Sequence, residues 1–280
     1  MRIESVAARF YQHVSLFACP LCRAPLGKQP PASLSCEKGH CFNLSSRGYA
    51  SFLAHAKPSK YDKTLFESRR AVFDAGFYLP VVDALSALLT RIAPSRPTVA
   101  DIGCGDGYYS LQLSRRVPGT YVALDLVRDA VALGARGGND VLWCAGDLAR
   151  LPLREGSVDV LMDVLTPSNY AEFMRVLSPG GALVKVIPGA DYLCQIRALL
   201  GDRLRAQTYT EDRVRDYLRA HMQLTGEQRI RYTLPLTPEQ AAHFLRMTPM
   251  TLGVDAAALD ASALKEITID LLILTATPKK

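Results

Sequence analysis

The feature that most constrains this chain is a group of four metal-binding side chains near its start: Cys19, Cys22, Cys36 and His40. They are spaced as C-x2-C and C-x3-H, so two close pairs can surround one Zn²⁺ tetrahedrally. Because four protein ligands leave no open coordination position, the predicted zinc site is structural. Cys41 is the alternative fourth ligand, although the C-x3-H spacing favours His40. Scattered buried or redox thiols are the competing interpretation.

The use of cysteine indicates a reducing compartment. The chain has seven Cys, and Cys104, Cys144 and Cys194 are so far apart in sequence that we interpret them as buried thiols and not as a disulfide framework. No segment approaches the roughly 18 consecutive apolar residues of a membrane span, and no charged leader precedes an apolar core. We therefore expect a cytoplasmic protein without a membrane partner.

The positive charge is concentrated near the start of the chain. Residues 1–70 contain eleven Lys and Arg against four acids, whereas the whole chain carries a net charge of only +6. A basic zinc module on a near-neutral body indicates a polyanionic partner, most simply a nucleic acid. A solvated basic face is the alternative interpretation. The residues we expect to line an entrance for phosphates are Lys57, Lys60, Lys63, Arg69 and Arg70.

A second motif predicts a nucleoside site. Residues 99–102 form a short apolar strand, and Gly103, Gly105 and Gly107 follow it in a tight turn before a helical stretch. The spacing G-x-G-x-G differs from the G-x-G-x-x-G of dinucleotide-binding domains. The glycines allow a ligand to approach the backbone closely. Asp101, at the end of this strand, suits a cationic or hydroxyl-rich ligand better than a pyrophosphate.

The strands that follow support the same interpretation. Asp125 ends the second strand, where a carboxylate can accept both ribose hydroxyls, and Asp147 ends the third, where it can accept an adenine amino hydrogen. One strand-end acid alone is usually a cap or turn residue, but three in series favour a nucleoside ligand. Alternating strands and helices predict a doubly wound, mostly parallel sheet. With residues 229–234 and 266–276 the predicted sheet has seven strands.

On these residues the chain resembles the S-adenosylmethionine-dependent methyltransferases with a Rossmann-like fold, across roughly residues 97–190. The whole chain more narrowly resembles the large-subunit ribosomal RNA guanine-N1 methyltransferases. The matching elements are the four zinc ligands, Gly48-Tyr49, residues 68–78, the loop at residues 105–109 and Met247-Thr248-Pro249. The resemblance implies S-adenosylmethionine as cofactor, a structural Zn²⁺, large-subunit ribosomal RNA as partner, and a homodimer. In some members it also implies antibiotic resistance.

The resemblance also assigns roles to single residues. It implies that Tyr78, Gly105 with Asp106, and the segment around Tyr192 touch the cofactor. The complete predicted cofactor set is Tyr78, Asp101, Gly103, Gly105, Asp106, Asp125, Asp147 and Tyr192. Typical members read Gly-His-Tyr where this chain has Gly76-Phe77-Tyr78, and an aromatic residue where this chain has Met250. Both differences affect how the target base would be held.

The predicted organisation has three parts. Residues 1–55 are an N-terminal helix with the zinc module, residues 56–96 a linker with helices, and residues 97–280 the methyltransferase domain. Methylation of guanine N1 requires loss of its hydrogen, and the weak candidates for this step are Asp163 and Asn169 at the end of the fourth strand. The alternative interpretation is that Asp163 faces solvent or a helix dipole. A flipped base would stack on aromatic residues, for which the candidates are Tyr78, Tyr108, Tyr109 and Tyr170.

Two other functions compete with RNA methylation. A small-molecule methyltransferase would not need the basic zinc module. A non-catalytic zinc-ribbon factor for RNA binding or resistance would not need the glycine turn and the three strand-end acids. We therefore expect an enzyme that methylates a guanine at N1 in large-subunit ribosomal RNA, with the zinc module gripping the RNA.

Overall fold

The computed structural model describes residues 2–53, 63–138, 140–201, 210–251, 254 and 259–279. The strands are β1 Gly27–Gln29, β2 Ser33–Ser35, β3 Cys41–Asn43, β4 Tyr49–Ser51, β5 Thr98–Ile102, β6 Thr120–Asp125, β7 Val141–Ala145, β8 Val158–Val164, β9 Leu177–Pro188, β10 Met222–Pro235 and β11 Glu266–Pro278. The helices are α1 Ile3–Gln12, α2 Lys63–Asp74, α3 Leu79–Ile92, α4 Tyr108–Ser114, α5 Arg128–Ala135, α6 Tyr170–Val176, α7 Cys194–Leu200, α8 Glu211–His221 and α9 Pro238–Met247.

One large sheet organises the molecule, with the strand order β10-β11-β9-β8-β5-β6-β7-β4. Its neighbours from β4 to β9 are parallel, and β11 is antiparallel to both β9 and β10. The predicted doubly wound, mostly parallel sheet is therefore confirmed. The predicted number of seven strands is one too small, because β4 of the zinc module pairs in parallel with β7. A three-residue strand carries too little periodicity to reveal this pairing from sequence.

The central strands are apolar because both faces of the sheet are covered. On one face, α3 and α9 bury Leu85, Leu89 and Phe244 against the sheet. On the other face, α1 and the zinc module contribute Phe10 and Phe17, together with other apolar side chains, to a second core. The zinc module therefore covers part of this face, together with α6 and α8.

A second contact ties the zinc module to the large sheet. Arg23 directly follows Cys22 in the zinc module. Both terminal nitrogens of its guanidinium donate to the Glu172 carboxylate on α6, at 3.0 and 2.7 Å. Arg175 donates to the same carboxylate, and these arginines keep the pKa of Glu172 below its usual value although burial acts in the opposite direction. The predicted boundary at residue 55 falls within residues 54–62, outside the described residues, and the sheet includes strands from both sides of it.

The helix boundaries follow ordinary capping rules. Helix α9 begins with Pro238 after Thr237, whose side chain forms a reciprocal capping box with Gln240. Within the described residues, no single helix has the length and apolarity to cross a membrane. Only α2 and α3 taken together, with a 75° bend between them, meet the length and composition test.

Candidate functional site

The four predicted zinc ligands converge at one point. The ligand atoms of Cys19, Cys22, Cys36 and His40 all lie within 4.8 Å of one another. The Cys22 and Cys36 Sγ atoms are 3.7 Å apart, and His40 Nδ1 lies 3.4 Å from Cys19 Sγ and 3.3 Å from Cys36 Sγ. Bonds of about 2.1–2.3 Å in a tetrahedron place neighbouring ligand atoms roughly 3.4–3.8 Å apart, so the group fits Zn²⁺. Cys41 is exposed and is not a member of this group.

The glycine turn between β5 and α4 is shaped for close approach. Gly103, Gly105 and Gly107 all have positive φ angles, of 73°, 59° and 70°. A Cβ on Gly103 would overlap the side chain of Thr166, and one on Gly107 would overlap the buried indole of Trp143. Only glycine therefore fits at these two positions, and the resulting tight turn at the carboxyl end of β5 lies where the sequence predicts a nucleoside cofactor; it is called the cofactor cradle below.

Two of the strand-end carboxylates hold backbone turns beside this cradle. Asp125 Oδ2 accepts from the Gly105 N–H and its Oδ1 from the Val127 N–H, each at 2.8 Å. Asp147 Oδ1 accepts from the Ala149 N–H at 2.9 Å. Each carboxylate oxygen has capacity for a further donor, so these bonds orient both acids and leave room for ribose and adenine contacts.

Asp101 is the buried member of the three strand-end acids. It is 2% exposed, and Ser110 Oγ donates to its Oδ2 at 2.6 Å. Burial raises the pKa of Asp101 to about 7, the Ser110 hydrogen bond acts in the opposite direction, and the nearby carboxylates of Asp125 and Asp163 raise the pKa further. A cationic cofactor would favour the ionised form of this carboxyl.

We therefore predict that the affinity for S-adenosylmethionine rises with pH. Below a pKa of about 7 the free protein must release the Asp101 proton before the cofactor can use the carboxylate, and this cost disappears above that pH. Calorimetric titration should show roughly five- to tenfold tighter binding at pH 7.5 than at pH 6. Asp101→Asn is the control, because it cannot ionise and should lose this dependence. An equal rise in that variant would assign the effect to another group.

Helix α2 lies over the cofactor turn. Arg70 pairs with the buried Asp106 at 2.9 Å, and the Phe73 ring stacks on Tyr108 with centroids 4.1 Å apart. Arg70 was expected to line an entrance for phosphates, but here it is held against the turn. Lys57 and Lys60 lie outside the described residues, as does the side chain of Lys63.

The two predicted cofactor tyrosines lie side by side. The hydroxyls of Tyr78 and Tyr192 are 2.7 Å apart, and Tyr78 is 1% exposed. Burial raises the pKa of both phenols above their usual value, so both stay protonated at physiological pH and one hydroxyl donates to the other. Their contact with the cofactor stays a prediction.

The two weak catalytic candidates both have structural partners. Asp163 is fully buried, pairs with Lys185 Nζ at 2.8 Å and accepts from Ser168 Oγ at 2.5 Å. Asn169 accepts from the Glu172 N–H as the N-cap of α6, and its Nδ2 donates to the Leu148 carbonyl oxygen at 3.3 Å.

These contacts explain the positions of Asp163 and Asn169 without a catalytic step. Lys185 was not among the predicted site residues. The only feature of the sequence that could have indicated Lys185 is that it is a single charged residue within the apolar run of β9.

Comparison with known proteins identifies the class of enzyme. A family profile described as a methyltransferase domain matches residues 99–181, and one described as the RlmA N-terminal zinc ribbon matches residues 17–60. The YcgJ protein of Bacillus subtilis has a similar fold, with a TM-score of 0.51 and 14% identity over 71% of this chain and 98% of that chain. With the glycine cradle and the strand-end acids, the chain is an S-adenosylmethionine-dependent methyltransferase with a structural zinc site.

Relatives over most of the chain narrow this class. The YxjB protein of Bacillus subtilis (strain 168) is 34% identical over 84% of this chain and 86% of the relative. The 23S rRNA (guanine(748)-N(1))-methyltransferase of Streptomyces fradiae is 31% identical over 84% of this chain and 85% of the relative. The chain belongs to the family of 23S rRNA (guanine-N1)-methyltransferases. The family resemblance drawn from the sequence is thereby confirmed.

Proposed function

We propose that this protein transfers a methyl group from S-adenosylmethionine to N1 of a guanine in 23S rRNA. The observation that carries the proposal is that a nucleoside cradle and a zinc ribbon share one sheet, through the pairing of β4 with β7. Relatives of this family match 84% of this chain and 85–86% of their own length.

The residues around the cradle have separable tasks. The glycine turn would admit the nucleoside part of the cofactor, Asp125 would accept from the ribose hydroxyls, and Asp147 would accept from the adenine amino group. The buried carboxyl of Asp101 would face the positive charge of the cofactor. The bound cofactor supplies an electrophilic methyl group on a sulfonium. The chain's main contribution is alignment, because an in-line displacement depends on the position of the nucleophile.

The zinc module is proposed to hold the RNA. Arg47 of this module is half-exposed, and its pairing with the exposed Asp129 is too weak to prevent Arg47 from binding a polyanion.

We further propose a homodimer acting in the cytoplasm. The family resemblance supports the dimer, and the ribosomal substrate supports the location. Light scattering of the purified protein tests the dimer directly.

The proposed reaction predicts a single modified nucleoside. Tritiated S-adenosylmethionine and protein-free 23S rRNA, incubated with the enzyme, should give 1-methylguanosine after complete nuclease digestion. Asp125→Ala is the matched enzyme control, since it removes both backbone contacts and the ribose acceptor and should lose at least 100-fold in rate. Small-subunit RNA is the substrate control. Methylation of another base, or equal labelling of both RNAs, would contradict the proposal.

A further inference from the structure

A large cavity opens at the carboxyl ends of β8 and β9. Its volume is about 1180 Å³, enough for a nucleotide with its neighbouring backbone. Thr166 lines this cavity, and the same side chain closes against Gly103 of the cofactor turn, where it would overlap an added Cβ. The cavity and the cofactor cradle therefore share a wall, which is the arrangement that a methyl acceptor requires.

A buried cation, Lys185, is among the polar side chains that line the cavity. Lys185 is 5% exposed and lines the cavity, and its Nζ donates to Asp163 Oδ2 at 2.8 Å and to the Thr166 carbonyl oxygen at 3.2 Å. An ammonium group has three donors, so one remains for an acceptor inside the cavity. Asp163 is fully buried and holds the ammonium in place.

An exposed aromatic ring at the cavity can stack on a flat ligand. Tyr170 of α6 and Tyr217 of α8 both line the cavity, with ring centroids 5.5 Å apart, and Tyr217 is 57% exposed. Leu165 follows β8 in a left-handed conformation, with φ of 55°, and is 41% exposed at the same cavity. A large apolar side chain held in a strained conformation beside a cavity is typical of a binding site.

We propose that this cavity receives the target guanine, that Lys185 donates to its O6 atom, and that Tyr217 stacks on the base or its neighbour at the entrance. This inference rests on the proposed function, because it assigns the base acceptor of the same reaction. A guanine presents O6 as an acceptor next to N1, so a cation at O6 lies close to the reacting atom. Adenine carries a donor at the corresponding position and would leave the ammonium without an acceptor.

The cation would act on the charge that develops during the reaction. The N1–H bond breaks and its proton passes to solvent, leaving negative charge shared between N1 and O6. N1 then forms the new bond to the methyl carbon, and the electron pair of the carbon–sulfur bond stays on sulfur as the thioether. A fixed ammonium at O6 stabilises the intermediate anion more than the neutral base, and therefore accelerates the reaction.

The test of Lys185 replaces the whole buried pair. Asp163→Leu with Lys185→Met leaves no unpaired charge in the interior, so the fold should persist, as melting temperature and cofactor affinity will show. We expect kcat for 1-methylguanosine formation in 23S rRNA to fall about 100-fold with a smaller change in KM. The single variant Lys185→Arg, which retains both a cation and Asp163, should keep most of the wild-type kcat.

The test of Tyr217 does not depend on a core substitution. Tyr217→Ala should raise KM for RNA about tenfold, and Tyr217→Phe should have a KM near that of the wild type. Met174 is an exposed residue on α6 outside the cavity lining, so Met174→Ala should change neither kcat nor KM. Wild-type constants in both the double variant and Tyr217→Ala would overturn the pocket while the proposed function stands. A wild-type enzyme without methyl transfer to 23S rRNA would overturn both.

Discussion

Replacing Cys36 with Ala should remove the bound zinc and unfold the N-terminal module. Three ligands cannot close a tetrahedral structural site, and metal binding supplies about 10–16 kcal/mol of apparent free energy in small zinc modules. Because β4 pairs with β7, the loss should extend to the edge of the large sheet and to the methyl-transfer activity. Metal analysis of the purified variant and its melting temperature measure the two effects.

Cys41→Ala is the matched control for this experiment. Cys41 is an exposed thiol directly beside His40, but it lies outside the convergent group. The control should retain one zinc per chain and the melting temperature of the natural protein. Zinc loss from this control, or full zinc content in Cys36→Ala, would show that the ligand set is different.

Replacing Gly107 with Ala should have the second large effect. Its Cβ would overlap the ring of Trp143, which is fully buried beneath the cofactor turn, and the backbone at Gly107 has φ of 70°. The turn or the indole must move, and neither has space. We expect Gly107→Ala to lower the free energy of unfolding by more than about 3 kcal/mol and to abolish measurable binding of S-adenosylmethionine.

Gly180→Ala separates the collision from backbone strain. Gly180 also has a positive φ, of 86°, but nothing lies within 4 Å of the position where its Cβ would be. This variant should therefore show only the left-handed strain, about 1–2 kcal/mol, and should bind the cofactor normally. Urea unfolding and calorimetric titration of both variants give the comparison. Equal losses in the two would refute the role assigned to Trp143.

Sequence reasoning succeeded where the chemistry depends on spacing along the chain. The C-x2-C and C-x3-H pairs and the glycine turn are local patterns; the structure brings the four ligands together and gives all three glycines of the turn positive φ angles. The long apolar run of residues 266–276, predicted as a strand, fits the position of β11 inside the sheet between β9 and β10. These features need no knowledge of which distant residues meet.

The features that were not predicted depend on pairings across long distances. Nothing in residues 49–51 indicates β7 as a partner, and nothing in Arg23 indicates Glu172. Asp163 and Lys185 lie on adjacent parallel strands, and only their register makes them an ion pair. The sequence therefore indicates Asp163 as a candidate base without revealing its ion pair with Lys185, and its catalytic role stays a prediction.

The pairing of β4 with β7 also has a consequence for the order in which the chain is synthesised. Tyr49 leaves the ribosome long before Trp143, its partner in the parallel register. All residues of the zinc ribbon are therefore synthesised before β7, the strand with which β4 pairs. Non-local parallel pairings of this kind form late, after the intervening segments have folded. Because β4 has only three residues, the nascent chain presents a short open edge during this interval.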